Sequence, residues 1–94
     1  MKGYWIAHVT VTAPEQYQEY ASATKVAFEK YGAKVLARGG DFVNVEGEGR
    51  ARNVVIEFPS LQAAKDCYFS PEYQSAKVKR QGAGIADIVL VEGV

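Results

Sequence analysis

Four side chains of the kinds that acid–base chemistry uses, His8, Arg38, Glu57 and Asp87, each fall in a separate strand-like segment. Glu57 interrupts the apolar run Arg52-Asn-Val-Val-Ile-Glu-Phe58, which is too short for a helix and is halted by Pro59. At a period of two, Val54, Ile56 and Phe58 share one face and Glu57 lies on the other. A carboxylate among apolar neighbours is costly unless it is paired or solvated. Glu57 is therefore either a general base or substrate anchor, or one half of an ion pair with Arg38 or Arg52 that locks a hairpin. His8, the only histidine, is either a proton shuttle or a core imidazole satisfied by a neighbour. Arg38 precedes Gly39-Gly40, where a guanidinium and bare backbone N–H groups can hold an anion or merely flank a bulge. Asp87 pairs or caps locally, with ligand contact as its second role.

Tyr4, Tyr68 and Tyr73 are the aromatic counterparts, able to line a pocket for a flat ligand; the simpler role of Tyr68 and Tyr73 is packing. Cys67 has only Lys65 as a basic neighbour and reads as a small helix residue, not a nucleophile. One cysteine and one histidine cannot form a structural zinc cluster, so no metal and no organic cofactor is expected. Glu46-Gly-Glu-Gly-Arg50 does not lead from a strand into a helix and is a turn, not a phosphate loop.

These groups must be positioned by a single domain, since the chain has 94 residues. Eleven basic and 11 acidic side chains cancel, which argues against nucleic acid and anionic membranes as partners. A hydrophobic content of 48% is too high for a disordered chain. No segment approaches about 18 consecutive apolar residues and no leader pattern opens the chain, so a soluble cytoplasmic protein is expected.

Tyr4 to Val11 alternates between a mixed set (Tyr4, Ile6, His8, Thr10) and an apolar set (Trp5, Ala7, Val9, Val11), predicting a strand. Thr12 and Glu15 stand at capping-box spacing around Pro14 and predict a helix start. Tyr17, Tyr20, Ala21, Thr24, Phe28 and Tyr31 form its inner stripe, and Gly32 ends it. Lys34 to Arg38 predicts a second strand, broken at Gly39-Gly40 and resumed over Phe42 to Glu46; a turn at Gly47-Glu-Gly49 then joins it to Arg52–Phe58 as a hairpin. Folding about Glu48 sets Glu57 opposite the glycine pair. Ser60 and Ser70-Pro71 predict two short helices, Leu61–Phe69 and one from Pro71 to about Arg80; Ile85 to Glu92 predicts the last strand.

The order strand, helix, strand, strand, helix pair, strand predicts an α+β, ferredoxin-like βαββαβ fold with an antiparallel sheet in the order four, one, three, two. With the apolar parity of each strand turned toward the helices, Asp87, His8, Glu57 and Arg38 fall on the other face, unless a bulge re-aims Arg38. That face also carries Tyr4, Ile6, Val55, Val89 and Val91, too much apolar surface to stay wet, so a homodimer packed sheet to sheet is expected.

Gly3-Tyr-Trp5, Val11-Thr-Ala-Pro-Glu15 with Tyr17 and Tyr20, Ala37-Arg-Gly-Gly40, Glu46-Gly47, Glu57-Phe-Pro-Ser60, Ser70-Pro-Glu-Tyr73 and Arg80 follow one another over nearly the whole chain. In this the sequence resembles the domain of unknown function 1330 family. That family resembles in turn the dimeric α/β-barrel superfamily, which includes cofactor-free monooxygenases, muconolactone isomerases and haem-degrading enzymes. The resemblance implies paired ferredoxin-like subunits, while the family itself has no settled activity. Ala13 stands where the family usually has Asp, and Cys67 where it commonly has a bulky aromatic.

The expectation is a small-molecule-binding protein with, in its enzymatic form, cofactor-free proton transfer or oxygenation of a small carbonyl, lactone or phenolic compound. Glu57 would be the base, His8 the acid or shuttle, and Arg38 the clamp on oxyanion charge. The alternative is a non-catalytic dimeric ligand-binding or structural module in which these residues stitch two sheets together.

Overall fold

Trp5, Ala7 and Val9, alternate residues of the first strand, are all buried beneath helices, while His8 between them is exposed. The computed structural model describes residues 1–94. It comprises β1 (Gly3–Val11), α1 (Pro14–Lys30), β2 (Lys34–Arg38), β3 (Arg52–Phe58), α2 (Leu61–Tyr68), α3 (Pro71–Arg80) and β4 (Gly84–Glu92). The strands form one sheet in the order β2-β3-β1-β4 with every neighbouring pair antiparallel. This is the expected α+β ferredoxin-like topology. The helices cover the face of Trp5, Ile56 and Phe58.

Local chemistry accounts for the helix ends. Gly32, at φ 73°, closes α1: Ala33 N–H donates to the Phe28 carbonyl at 2.9 Å and Gly32 N–H to that of Glu29 at 3.4 Å, the paired bonds of a Schellman stop. The start of α1 departs from expectation. Ala13, not Thr12, occupies the cap position, and no side chain caps the helix. The entry is pinned by backbone instead, with Thr12 and Ala13 N–H groups donating to the Ala83 carbonyl at 2.8 and 3.1 Å. The two serine caps form as predicted: Ser60 Oγ accepts from Ala63 N–H at 3.0 Å, and Ser70 Oγ from Tyr73 N–H at 3.1 Å.

The predicted hairpin between β2 and β3 is corrected. Residues 39–51 form no strand, and Phe42, Val43 and Val45 are exposed. Glu57 therefore pairs with Lys34 and not with the glycine pair. The register shifts between Val35 and Ala37, so the bulge lies at Leu36, before the glycines. Beyond it Ala37 pairs with Val55 and Arg38 with Val54. An extra residue inverts the facing of every later residue in the strand. Ala37 takes the outer face and Arg38 is turned toward the helices.

The core centres on Trp5. Its ring meets Phe28 of α1 edge-on at 5.3 Å, Tyr73 of α3 at 4.8 Å and Tyr68 of α2 at 5.6 Å, so one side chain joins the sheet to all three helices. Gly3 permits the close approach of α2, since a Cβ there would meet the Ser60 carbonyl oxygen at 2.5 Å. The outer sheet face is bare, with Ile85, Val89 and Val91 exposed on β4.

Ser70 also donates to the Cys67 carbonyl at 2.7 Å and is 4% exposed, so its loss orphans buried groups at both ends of its hydroxyl. Ser70→Ala is expected to cost about 1–2 kcal/mol, lowering Tm by roughly 5–10 °C. Thermal unfolding followed by circular dichroism checks this; an unchanged Tm would contradict the role given to Ser70.

Candidate functional site

The outer face holds three of the four residues singled out for acid–base chemistry, in two separate groups. At one end Tyr4 lies opposite Glu57, and its hydroxyl donates to Glu57 Oε2 at 3.3 Å. Desolvation first, then the charge of Glu57, holds the Tyr4 phenol above its ordinary pKa. At the other end His8 lies between Asn53 and Asp87. His8 Nδ1 and Asn53 Oδ1 lie 2.7 Å apart, a hydrogen bond when the imidazole carries its proton on Nδ1. Asp87 Oδ2 accepts from Arg50 Nε at 2.9 Å, and the same guanidinium reaches Thr10 Oγ1 at 2.9 Å. His8 and the Glu57 position are four residues apart along β1, or about 13 Å at strand rise. Within one chain they do not meet.

Arg38 is on the other side of the sheet. The bulge at Leu36 delivers it to a cavity of about 530 Å³ between the sheet and α1. Trp5, Val54 and Ile56 form its floor, Tyr17, Tyr20 and Phe28 its roof. Two further arginines line it, Arg52 from the start of β3 and Arg80 from the end of α3. The sequence carried a signal for Arg52 that parity reasoning passed over: it shares the helix-facing parity of Val54, Ile56 and Phe58, where an arginine is anomalous.

Arg80 is built into a polar cluster with two tyrosines. Its Nη1 donates to the hydroxyls of Tyr20 and Tyr73 at 3.2 Å each, those hydroxyls lie 2.9 Å apart, and the guanidinium stacks 5.0 Å from the Tyr20 ring. Both phenols are raised above their ordinary pKa, chiefly by burial. Tyr73, expected mainly to pack the helix pair, thus also orients the cavity's arginine. Tyr68 lies against Trp5 and Tyr73 and is not part of the lining. Cys67 is fully buried, and burial, followed by the charge of Glu72, raises its thiol to about 12. No three His, Cys, Asp or Glu side chains converge as a metal site.

The domain model described as Domain of unknown function (DUF1330) matches residues 2–94. The chain belongs to that family. No curated protein matches the sequence. Among solved structures, this DUF1330 chain is similar to a protein of unknown function from Rhodopseudomonas palustris, at 21% identity and TM-score 0.73, covering 99% of this chain and 82% of that one. The cofactor-independent oxygenase SnoaB from Streptomyces nogalater shares the fold at 12% identity and TM-score 0.66, covering 99% and 93%. A dimeric ferredoxin-like protein of unknown function from Bacteroides fragilis does so at 16% identity and TM-score 0.57, covering 98% and 96%. At these identities the likeness establishes the fold.

The raised phenols Tyr4, Tyr20 and Tyr73 link stability to alkaline pH. Their contribution is complete below the unfolded-chain pKa of about 10 and is lost as pH rises through the folded values. Tm of the DUF1330 protein should therefore fall above about pH 10, and the fall should be shallower in Tyr73→Phe. Identical pH profiles for both proteins would contradict the burial of that phenol.

Proposed function

We propose that this DUF1330 protein is a homodimer that binds a small, flat phenolic or enolic compound in the cavity between the sheet and α1 and supports its cofactor-free proton transfer or oxygenation. One observation carries the reading: an aromatic-walled cavity of about 530 Å³ is lined by a guanidinium held in place by two buried tyrosine hydroxyls. Aromatic walls favour a planar ligand. A guanidinium fixed by Tyr20 and Tyr73 stabilises an ionised phenol or enol oxygen without reorganising. Such an anion is the electron-rich form that takes up a proton at carbon or reacts with dioxygen. SnoaB, a cofactor-independent oxygenase of the same fold, supports the view that this scaffold accommodates such chemistry.

The groups on the outer face take the second role considered for them. Tyr4, His8, Glu57 and Asp87 are polar points on a face whose exposed Ile85, Val89 and Val91 favour a second copy. We assign them to the joining of two sheets, and Arg38 to the cavity. Binding without turnover is the alternative. It is favoured by the lining itself, whose one carboxylate, Glu29, is exposed and which contains no imidazole.

Trp5 is the sole tryptophan and lines the cavity, so its fluorescence reports occupancy. Titration with 1,4-dihydroxynaphthalene under argon should change that emission saturably, and Arg80→Met should weaken binding by roughly 10-fold or more. Oxygen uptake on admitting air distinguishes turnover from binding alone. Light scattering should give about twice the 10.3 kDa chain mass, reverting to one chain in Val89→Asp. An unsaturable response would sink the cavity assignment, and a monomeric parent protein would sink the dimer.

A further inference from the structure

The cavity is lined by two further arginines that a phenol alone does not use. Arg38 pairs with Val54, two residues from Arg52 on the same face of β3, so the two arginines are diagonal neighbours at the cavity wall. Neither has a carboxylate partner; the ion pairs of the chain are Lys30–Glu72 and Arg50–Asp87. Arg52 Nε is buried without any hydrogen-bond acceptor, although an orphaned guanidinium N–H is costly. The guanidinium is held 5.3 Å from the Tyr17 ring. It also lies against Gly39, where a Cβ would come within 2.6 Å of Arg52 Nη1. With φ at 65°, that position suits glycine on backbone grounds as well. Lys25 adds another cation to the lining, against Glu29 as its single carboxylate.

Resting on the reading of the cavity as a ligand site, we propose that its ligand is a carboxylate, with Arg52 and Arg38 forming an anion subsite distinct from the Arg80 end. Two adjacent guanidiniums, neither with a carboxylate partner, match its two oxygens through their terminal N–H groups. The occupant would then be a hydroxyaromatic acid, its phenol toward Arg80 and its carboxylate toward β2 and β3.

Isothermal titration of the purified full chain with 6-hydroxy-2-naphthoate and with its neutral isostere 6-hydroxy-2-naphthamide tests the assignment. The carboxylate should bind roughly 10- to 100-fold more tightly than the amide. Arg52→Gln should erase that preference, costing the carboxylate far more affinity than the amide, and Arg38→Gln should reduce it, provided that far-ultraviolet circular dichroism matches the parent. Equal affinity for the two compounds would overturn the anion subsite and leave the cavity reading standing. Failure of both to bind would overturn both. An undiminished preference in folded Arg52→Gln and Arg38→Gln would place the anion elsewhere.

Discussion

Trp5 is the contact through which the sheet holds its helices. Its indole touches Phe28, Tyr68 and Tyr73, one from each helix, and stacks toward Phe58 at 6.1 Å on the neighbouring strand. Burying a ring of this size is among the largest single contributions available to a small domain. Where Trp5, Phe58 and Tyr73 pack, the interior is closed. Toward the start of α1 the roof is Tyr17 and Tyr20 and the space below is open. The same residue thus anchors the core and walls the cavity.

The two faces of the sheet divide the work. The inner face carries Trp5, Ile56 and Phe58, and at its margin the arginines that give the cavity its charge. The outer face carries the only histidine, and its polar groups are already engaged locally, Tyr4 with Glu57, His8 with Asn53, Asp87 with Arg50. A chain with no net charge has gathered several cations around one hollow and offset them with acids elsewhere, as in the exposed Lys30–Glu72 bridge between α1 and α3. Unpaired guanidiniums near one another repel, so this segregation does not serve stability and is consistent with the proposed anion subsite.

Most of the fold was legible in the sequence because its signals are local. Alternation in β1, β3 and β4, the Ser60 and Ser70 caps and the Gly32 stop each depend on neighbours within a few residues, and the topology stems from their order. The site was less legible because it depends on pairing between distant strands. Loop 39–51 has no strand of its own, so nothing local fixed how β2 meets β3, and an extra residue at Leu36 was enough to move Arg38 from one face to the other. Arg52 and Arg80 lie 28 residues apart and reach the same cavity only in the fold. The anomalous parity of Arg52 was the one local trace of the cavity.

The hollow beneath α1, with Arg52 at its edge, is the place assigned to a ligand. Two-dimensional ¹H–¹⁵N spectra of the labelled protein test this directly, because the chain has a single indole N–H, that of Trp5, and the Arg52 Nε–H lies at the same wall. On addition of 6-hydroxy-2-naphthoate both signals should move in concert, while the amides of Val89 and Val91 on the outer face of β4 stay fixed. Shifts confined to His8, Val89 and their neighbours on the outer face, with Trp5 and Arg52 unmoved, would contradict it.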